Sequence, residues 1–155
     1  MEEKTTTKKS REERIAARKK RLKDRPKKEF SILYVDDESP NLRGFRSTFK
    51  RFFNVYTAEN PIEAMKIIQE TPINIIVSDH RMPEMNGTDL LKEVYKFNPE
   101  IRRMILSGFI KRDELKGAVE SFGIHEFVTK PWDFDDLMDI FKKLLAPDPP
   151  LMEFS

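Results

Sequence analysis

Five side chains in this sequence could do chemistry together, because each lies at the end of a short apolar run. Asp36 and Asp37 follow FSILYV, Asp79 follows INIIVS, Ser107 closes RMILS, and Lys130 follows EFVT. Three carboxylates against one ammonium would leave a charge of about −2 in a small volume, and two like charges about 4 Å apart cost about 4 kcal/mol at an effective dielectric of about 20. Either carboxylates protonate or a cation enters. Oxygen-only ligands favour a hard cation, and Mg2+ typically takes one or two carboxylates together with substrate phosphate oxygens. A metal beside a lysine suits a phosphoryl group: both cations neutralise its oxygens while a carboxylate attacks phosphorus. Taken singly, these residues say little. An Asp after a strand is commonly a turn residue or a helix cap, and a Lys before Pro is commonly an exposed turn residue. The signal is their joint occurrence at four run ends.

Those runs must be strands for the groups to meet, and the chain between them reads as helix. Phe30–Val35, a weaker Phe53–Ala58, Ile73–Ser78, Arg103–Ser107 and Glu126–Thr129 are the expected strands. Ser39–Pro40 and Asn60–Pro61 read as a cap followed by Pro at the first helical position. Leu42, Phe45, Phe49 and Phe52 stripe the first of these helices, and Met65 and Ile68 continue the second. Leu90, Leu91, Val94 and Phe97 stripe the next. Leu115, Ala118, Val119 and Phe122 follow, with Gly123 as a C-terminal stop. Leu137, Ile140, Phe141 and Leu144 stripe the last. Strict alternation implies an α/β fold, a doubly wound parallel sheet with helices on both faces. In such a sheet ligands bind outside the carboxyl ends of the strands.

The 155 residues are 38% hydrophobic and 36% charged, which bounds the core to a modest size. With no cysteine, disulfides, thiolate nucleophiles and Cys-based zinc sites are excluded. Two histidines, His80 and His125, argue against a multi-His metal site. No apolar run approaches the length of a membrane span, no secretory signal is expected, and a cytoplasmic location fits. The net charge of +2 divides unevenly. Residues 1–29 hold 13 Lys or Arg and 6 Asp or Glu, a net of +7; residues 30–155 hold the other 16 and 21, a net of −5. The basic extension lacks aromatics and cannot fold as a domain of its own. From Ser10 to Asp24 it could be helical, with Ser10 and Glu13 as a capping box and Pro26 as a stop. It is either a solvated extension or an electrostatic anchor for an acidic partner, nucleic acid or an acidic membrane surface. Without interleaved aromatics, base stacking is not indicated and nucleic acid is disfavoured. Residues 147–155, with Pro147, Pro149 and Pro150, read as a linker or loose end.

Four separated motifs, VDDE (35–38), VSDHRMPEMNG (77–87), ILSG (105–108) and FVTKPWD (127–133), resemble the receiver domain of bacterial two-component response regulators. The likeness covers residues 30–146. It implies the flavodoxin-like receiver fold, five parallel strands in order 2-1-3-4-5. It also implies that Asp79 is the phosphoacceptor, taking a phosphoryl group from a sensor histidine kinase or phosphotransfer protein. Asp37 would bind Mg2+ directly and Asp36 through water, with Asp79 itself and the backbone carbonyl of Arg81 completing the metal set. Lys130 would pair with phosphoryl oxygens. Ser107 and Phe127 would form the switch read by an unknown downstream protein. The Lys130–Pro131 bond would be cis. Arg81 and Phe109 would flank the phosphoryl pocket, and Trp132 would either rim it or pack. Three other readings stay open here: an aspartyl-phosphate phosphohydrolase, a receiver that binds partners without phosphorylation, and the receiver fragment of a longer regulator.

Overall fold

The computed structural model describes residues 9–23 and 28–154. Helix α1 (Arg11–Lys23) precedes β1 (Ser31–Val35), α2 (Ser39–Phe49), β2 (Asn54–Ala58), α3 (Pro61–Glu70) and β3 (Ile75–Ser78). Then come α4 (Gly87–Phe97), β4 (Arg102–Ser107), α5 (Arg112–Ser121), β5 (Glu126–Thr129) and α6 (Phe134–Leu145). The strands form one parallel sheet in order β2-β1-β3-β4-β5. In α1, the Ser10 hydroxyl accepts the Glu13 N–H at 3.2 Å, as a capping residue does. The expected end of that helix at Asp24 and Pro26 lies outside the described residues.

The near-continuous apolar strands follow from burial on both faces. Successive side chains alternate, so Leu33, Val35, Ile76 and Ile105 enter one core layer with residues of α3, α4 and α5. Ile32, Tyr34, Val77 and Leu106 enter the other with α2 and α6. That second layer is centred on Phe45, Phe49 and Phe141, the last two meeting edge-on with centroids 5.3 Å apart. Each such buried side chain contributes about 1.5–3 kcal/mol. The sheet therefore clamps β1, β3 and β4 in the middle, and it is their carboxyl ends that must be held still.

Three local expectations change. Ser39 is the first helical residue, not the cap; its hydroxyl donates to Glu59 at 3.0 Å and leaves the helix end uncapped by a side chain. Phe52 lies beyond α2, which ends at Phe49, and is exposed against Phe134. The residues after α6 are not a loose end. The Met152 N–H donates to the Ile124 carbonyl at 2.9 Å, and Met152 and Phe154 pack on the first core layer. The prolines keep the segment out of helix or strand, but burial of its apolar side chains still holds it to the body. Gly123 stops α5 as expected, with φ +94° and its N–H on the Ala118 carbonyl.

Candidate functional site

Strand register decides which groups meet. Val35 pairs with Ser78, Ser78 with Ile105, and Ser107 with Thr129, so the next residues on β1, β3 and β5 emerge along one edge. The ladder runs one step past the strands. Asp36 N–H donates to the Ala58 carbonyl (3.1 Å), Asp79 N–H to that of Val35 (2.8 Å) and Lys130 N–H to that of Ser107 (2.9 Å). These backbones are consequently as fixed as the sheet itself. The Lys130–Pro131 peptide is cis.

At that edge Asp36, Asp37 and Asp79 each offer a carboxylate oxygen, all within 4.8 Å of one another. Their surroundings differ. Asp36 is wholly buried and saturated. Its Oδ2 accepts from Tyr34 (2.7 Å), Asn41 (3.0 Å) and Lys130 (2.7 Å), and its Oδ1 from the Glu38 N–H (2.9 Å). Burial alone would raise its pKa, but those hydrogen bonds, Lys130 first, outweigh it and hold the group below the usual carboxylate range. Lys130 answers in kind: burial would lower it, and Asp36 and Asp79 together raise it. Tyr34 is driven far above the ordinary phenol value by burial and by Asp36, so its hydroxyl stays a donor. Asp79 accepts the His80 N–H through Oδ1 at 2.8 Å, and its Oδ2 lies 3.5 Å from the Lys130 ammonium. Asp37 is exposed. The cluster thus holds one spent carboxylate, one buried carboxylate with oxygen to spare, and one facing water. An all-oxygen donor set of this kind fits a hard divalent cation.

The loop after Asp79 is held by a close approach. A Cβ on Gly87 would stand 2.2 Å from the Asp79 carbonyl oxygen, and the Gly87 N–H donates to the His80 carbonyl at 2.8 Å. Only glycine fits there.

The other expected residues stand nearby but not at the carboxylates. Ser107 is buried, and its hydroxyl donates to the Phe109 carbonyl at 3.2 Å. Arg81 is exposed, with its guanidinium 5.0 Å from the Phe109 ring, so the two presumed flanking residues lie against each other. Phe127 is half-buried against the first core layer. Trp132 is a packing residue that also borders a groove on the α2 side of Lys130. It packs on Phe45 and Phe49 (6.2 and 5.4 Å between centroids), and lines that groove with Lys130, Tyr34 and Asn41.

Sequence reasoning missed Tyr34, Asn41, His80 and Glu114. Tyr34 had a signal: in a strand, a residue two before Asp36 points to the same face. His80 is buried after Asp79 and bonds Glu114 of α5 through Nε2 at 2.6 Å, which holds the Glu114 carboxylate below its ordinary value. Glu114 is 34 residues away, and no local pattern announces it.

Comparison with known proteins agrees with this geometry. The response regulator receiver domain family matches residues 32–142. The chain is 34% identical over 116 residues to the hydrogenase transcriptional regulatory protein HoxA of Cupriavidus necator, covering 75% of this chain and 24% of that one. It is 31% identical over 116 residues to the transcriptional regulatory protein ZraR of Klebsiella oxytoca, covering 74% and 26%. The chain therefore spans about a quarter of the length of the curated relatives it matches. A response regulator receiver domain protein from Clostridium thermocellum superposes with a TM-score of 0.70 at 28% identity, covering 76% of this chain and 94% of that one. No helix among the described residues is long and apolar enough to cross a membrane. With its strand order, its edge of three carboxylates and these relatives in agreement, the chain belongs to the receiver domains of two-component response regulators.

Proposed function

We propose that Asp79 accepts a phosphoryl group from the phosphohistidine of a sensor kinase or phosphotransfer protein, and that the modified state is read by a partner protein. The observation that supports this most is the contrast among the three carboxylates: Asp36 is saturated by four donors, whereas Asp79 keeps oxygen free 3.5 Å from an ammonium. Asp37, Asp79 and the Arg81 carbonyl, with Asp36 acting through water because its own oxygens are spent, would hold Mg2+, which when bound supplies positive charge to the transferring oxygens. Asp79 attacks phosphorus, a P–O bond forms, and the P–N bond breaks with its electron pair returning to the imidazole. Lys130, kept protonated by the acids around it, neutralises a phosphoryl oxygen. The Ser107 hydroxyl leaves the Phe109 carbonyl for another phosphoryl oxygen, and the space it opens lets Phe127 repack. That is a population shift between two packings. The protein acts as a switch that catalyses only its own modification and hydrolysis, in the cytoplasm with its phosphodonor.

Incubation with acetyl phosphate or a sensor kinase tests this. Intact mass should rise by one phosphoryl group only with Mg2+ present, and Asp79→Asn should remain unmodified. Equal labelling of the variant, or labelling indifferent to Mg2+, would overturn the assignment.

A further inference from the structure

The segment after α6 is seated on the body at three points. Leu151 lies against the bare Cα of Gly123, where an added Cβ would come within 2.8 Å of its Cδ1. The Met152 N–H donates to the Ile124 carbonyl at 2.9 Å, just ahead of the edge strand β5. Phe154 lies 4.7 Å beneath the guanidinium of Arg112, the first residue of α5. Met152 and Phe154 join the same core layer as Ile110 and Phe127. The segment therefore runs from the start of β5 to the start of α5, along the face that carries Phe127.

The start of α5 is also tied to the acidic edge. Glu114 bonds His80, the neighbour of Asp79, and the loop entering α5 carries Phe109, whose carbonyl holds the Ser107 hydroxyl. One helical turn thus grips Phe154 through Arg112 and the acceptor loop through Glu114. If Ser107 releases Phe109, the loop from Gly108 to Lys111 gives up one of its holds, and a shift of that loop would reach the cation–π contact at Arg112, the residue that follows it.

We propose that Leu151–Phe154 is an intramolecular ligand of the α5–β5 face, displaced when Asp79 is phosphorylated. The vacated face then takes an extended partner peptide of the same chemistry: Leu and Met in succession, with an aromatic two residues after the Met. Displacement rests on the function proposed above; occupancy of the face does not.

Amide exchange of the full chain tests both parts. In the unmodified protein the Met152 amide should exchange about tenfold or more slowly than in the free peptide PDPPLMEFS. A double change, Leu151→Asp with Phe154→Ala, should abolish that protection while the body still unfolds cooperatively. The labelled peptide should then bind this variant but not the unmodified parent. Beryllofluoride with Mg2+, its binding followed by its fluorine resonance, should bring Met152 exchange in the parent towards the variant's rate. Free-peptide exchange in the unmodified parent, or a peptide that ignores the variant, overturns occupancy. Bound beryllofluoride with Met152 still protected overturns displacement alone. No beryllofluoride binding removes displacement along with the phosphoacceptor reading, and occupancy then stands or falls on the variant.

Discussion

Two buried polar clusters lie at opposite ends of the same sheet. At the carboxyl ends of the strands, Asp36, Asp37 and Asp79 crowd together, with Lys130 against Asp36 and Asp79. Near the amino ends of β4 and β5, Arg103 is almost wholly buried. Its Nε donates to the Gly123 carbonyl (2.9 Å) and its Nη1 to those of Pro99 (3.0 Å) and Ile101 (2.8 Å). Its guanidinium lies 5.0 Å over the Tyr95 ring. His125 completes the cluster: its Nδ1 accepts the Arg103 N–H at 3.0 Å, and its own N–H returns to the Arg103 carbonyl at 2.8 Å. The second cluster spends its donors on the chain's own backbone and fixes the α5–β5 connection. The first leaves oxygen unspent and holds like charges together. A saturated cluster builds structure, whereas an unsaturated one waits for a ligand.

The comparison can be broken from either side. Lys130→Met leaves wholly buried Asp36 without its cation and should cost about 4 kcal/mol in chemical denaturation without divalent ions. Millimolar Mg2+ should restore part of that, because a second cation can stand in. Arg103→Met deprives three carbonyls of their donor and should cost about 3 kcal/mol. Adding Mg2+ should restore none of it; recovery there would mean the two clusters are coupled.

Acid sharpens the contrast further. Burial, then the charges of Arg103 and Arg102, push His125 down from 6.5 to about 4. The unfolded chain therefore binds this proton first, so the contribution of His125 is full above about pH 6.5 and is lost as pH falls towards about 4. Stability should drop by about 2 kcal/mol between about pH 7 and pH 5. His125→Asn, which keeps an acceptor for the Arg103 N–H, should flatten that slope. Asp36 is depressed below the carboxylate range and acts only at still lower pH. The smallest effect has the opposite sign. Asp37→Asn removes one of the crowded charges at the water-facing side and should stabilise the metal-free protein by about 1 kcal/mol. It should also lose most of the stabilisation that Mg2+ gives the parent. A variant that is less stable without Mg2+ would show that the acidic edge is not under electrostatic stress.

How far the sequence reached divides along the same line. The acidic edge was legible because a parallel sheet gathers whatever follows its strands, so Asp36, Asp79 and Lys130 could be placed together from order alone. The strands and helix stripes were legible from apolar runs and helical periodicity, down to Gly123 as the stop of α5. The basic cluster was not. Arg103 sits at the start of an apolar run, and its hydrogen bonds go to three backbone carbonyls, those of Pro99, Ile101 and Gly123, which carry no side-chain signature. Nor was the seat of Leu151, because its partner Gly123 is distant in sequence and is recognisable only by what it lacks. Ser39 failed for a third reason: its hydroxyl prefers a carboxylate on the neighbouring loop, a tertiary contact that overrides the local rule.

Trp132 has a practical consequence. It is the chain's single tryptophan, its indole packs against the adjoining Phe45 and Phe49 rings, and it borders the groove that Lys130 and Tyr34 share. With no second indole to dilute the signal, the emission of the unlabelled protein is a private optical channel from the acidic edge. Stopped-flow traces of that glow alone would report any rearrangement of the acidic edge when Mg2+ or a phosphodonor is mixed with the native chain.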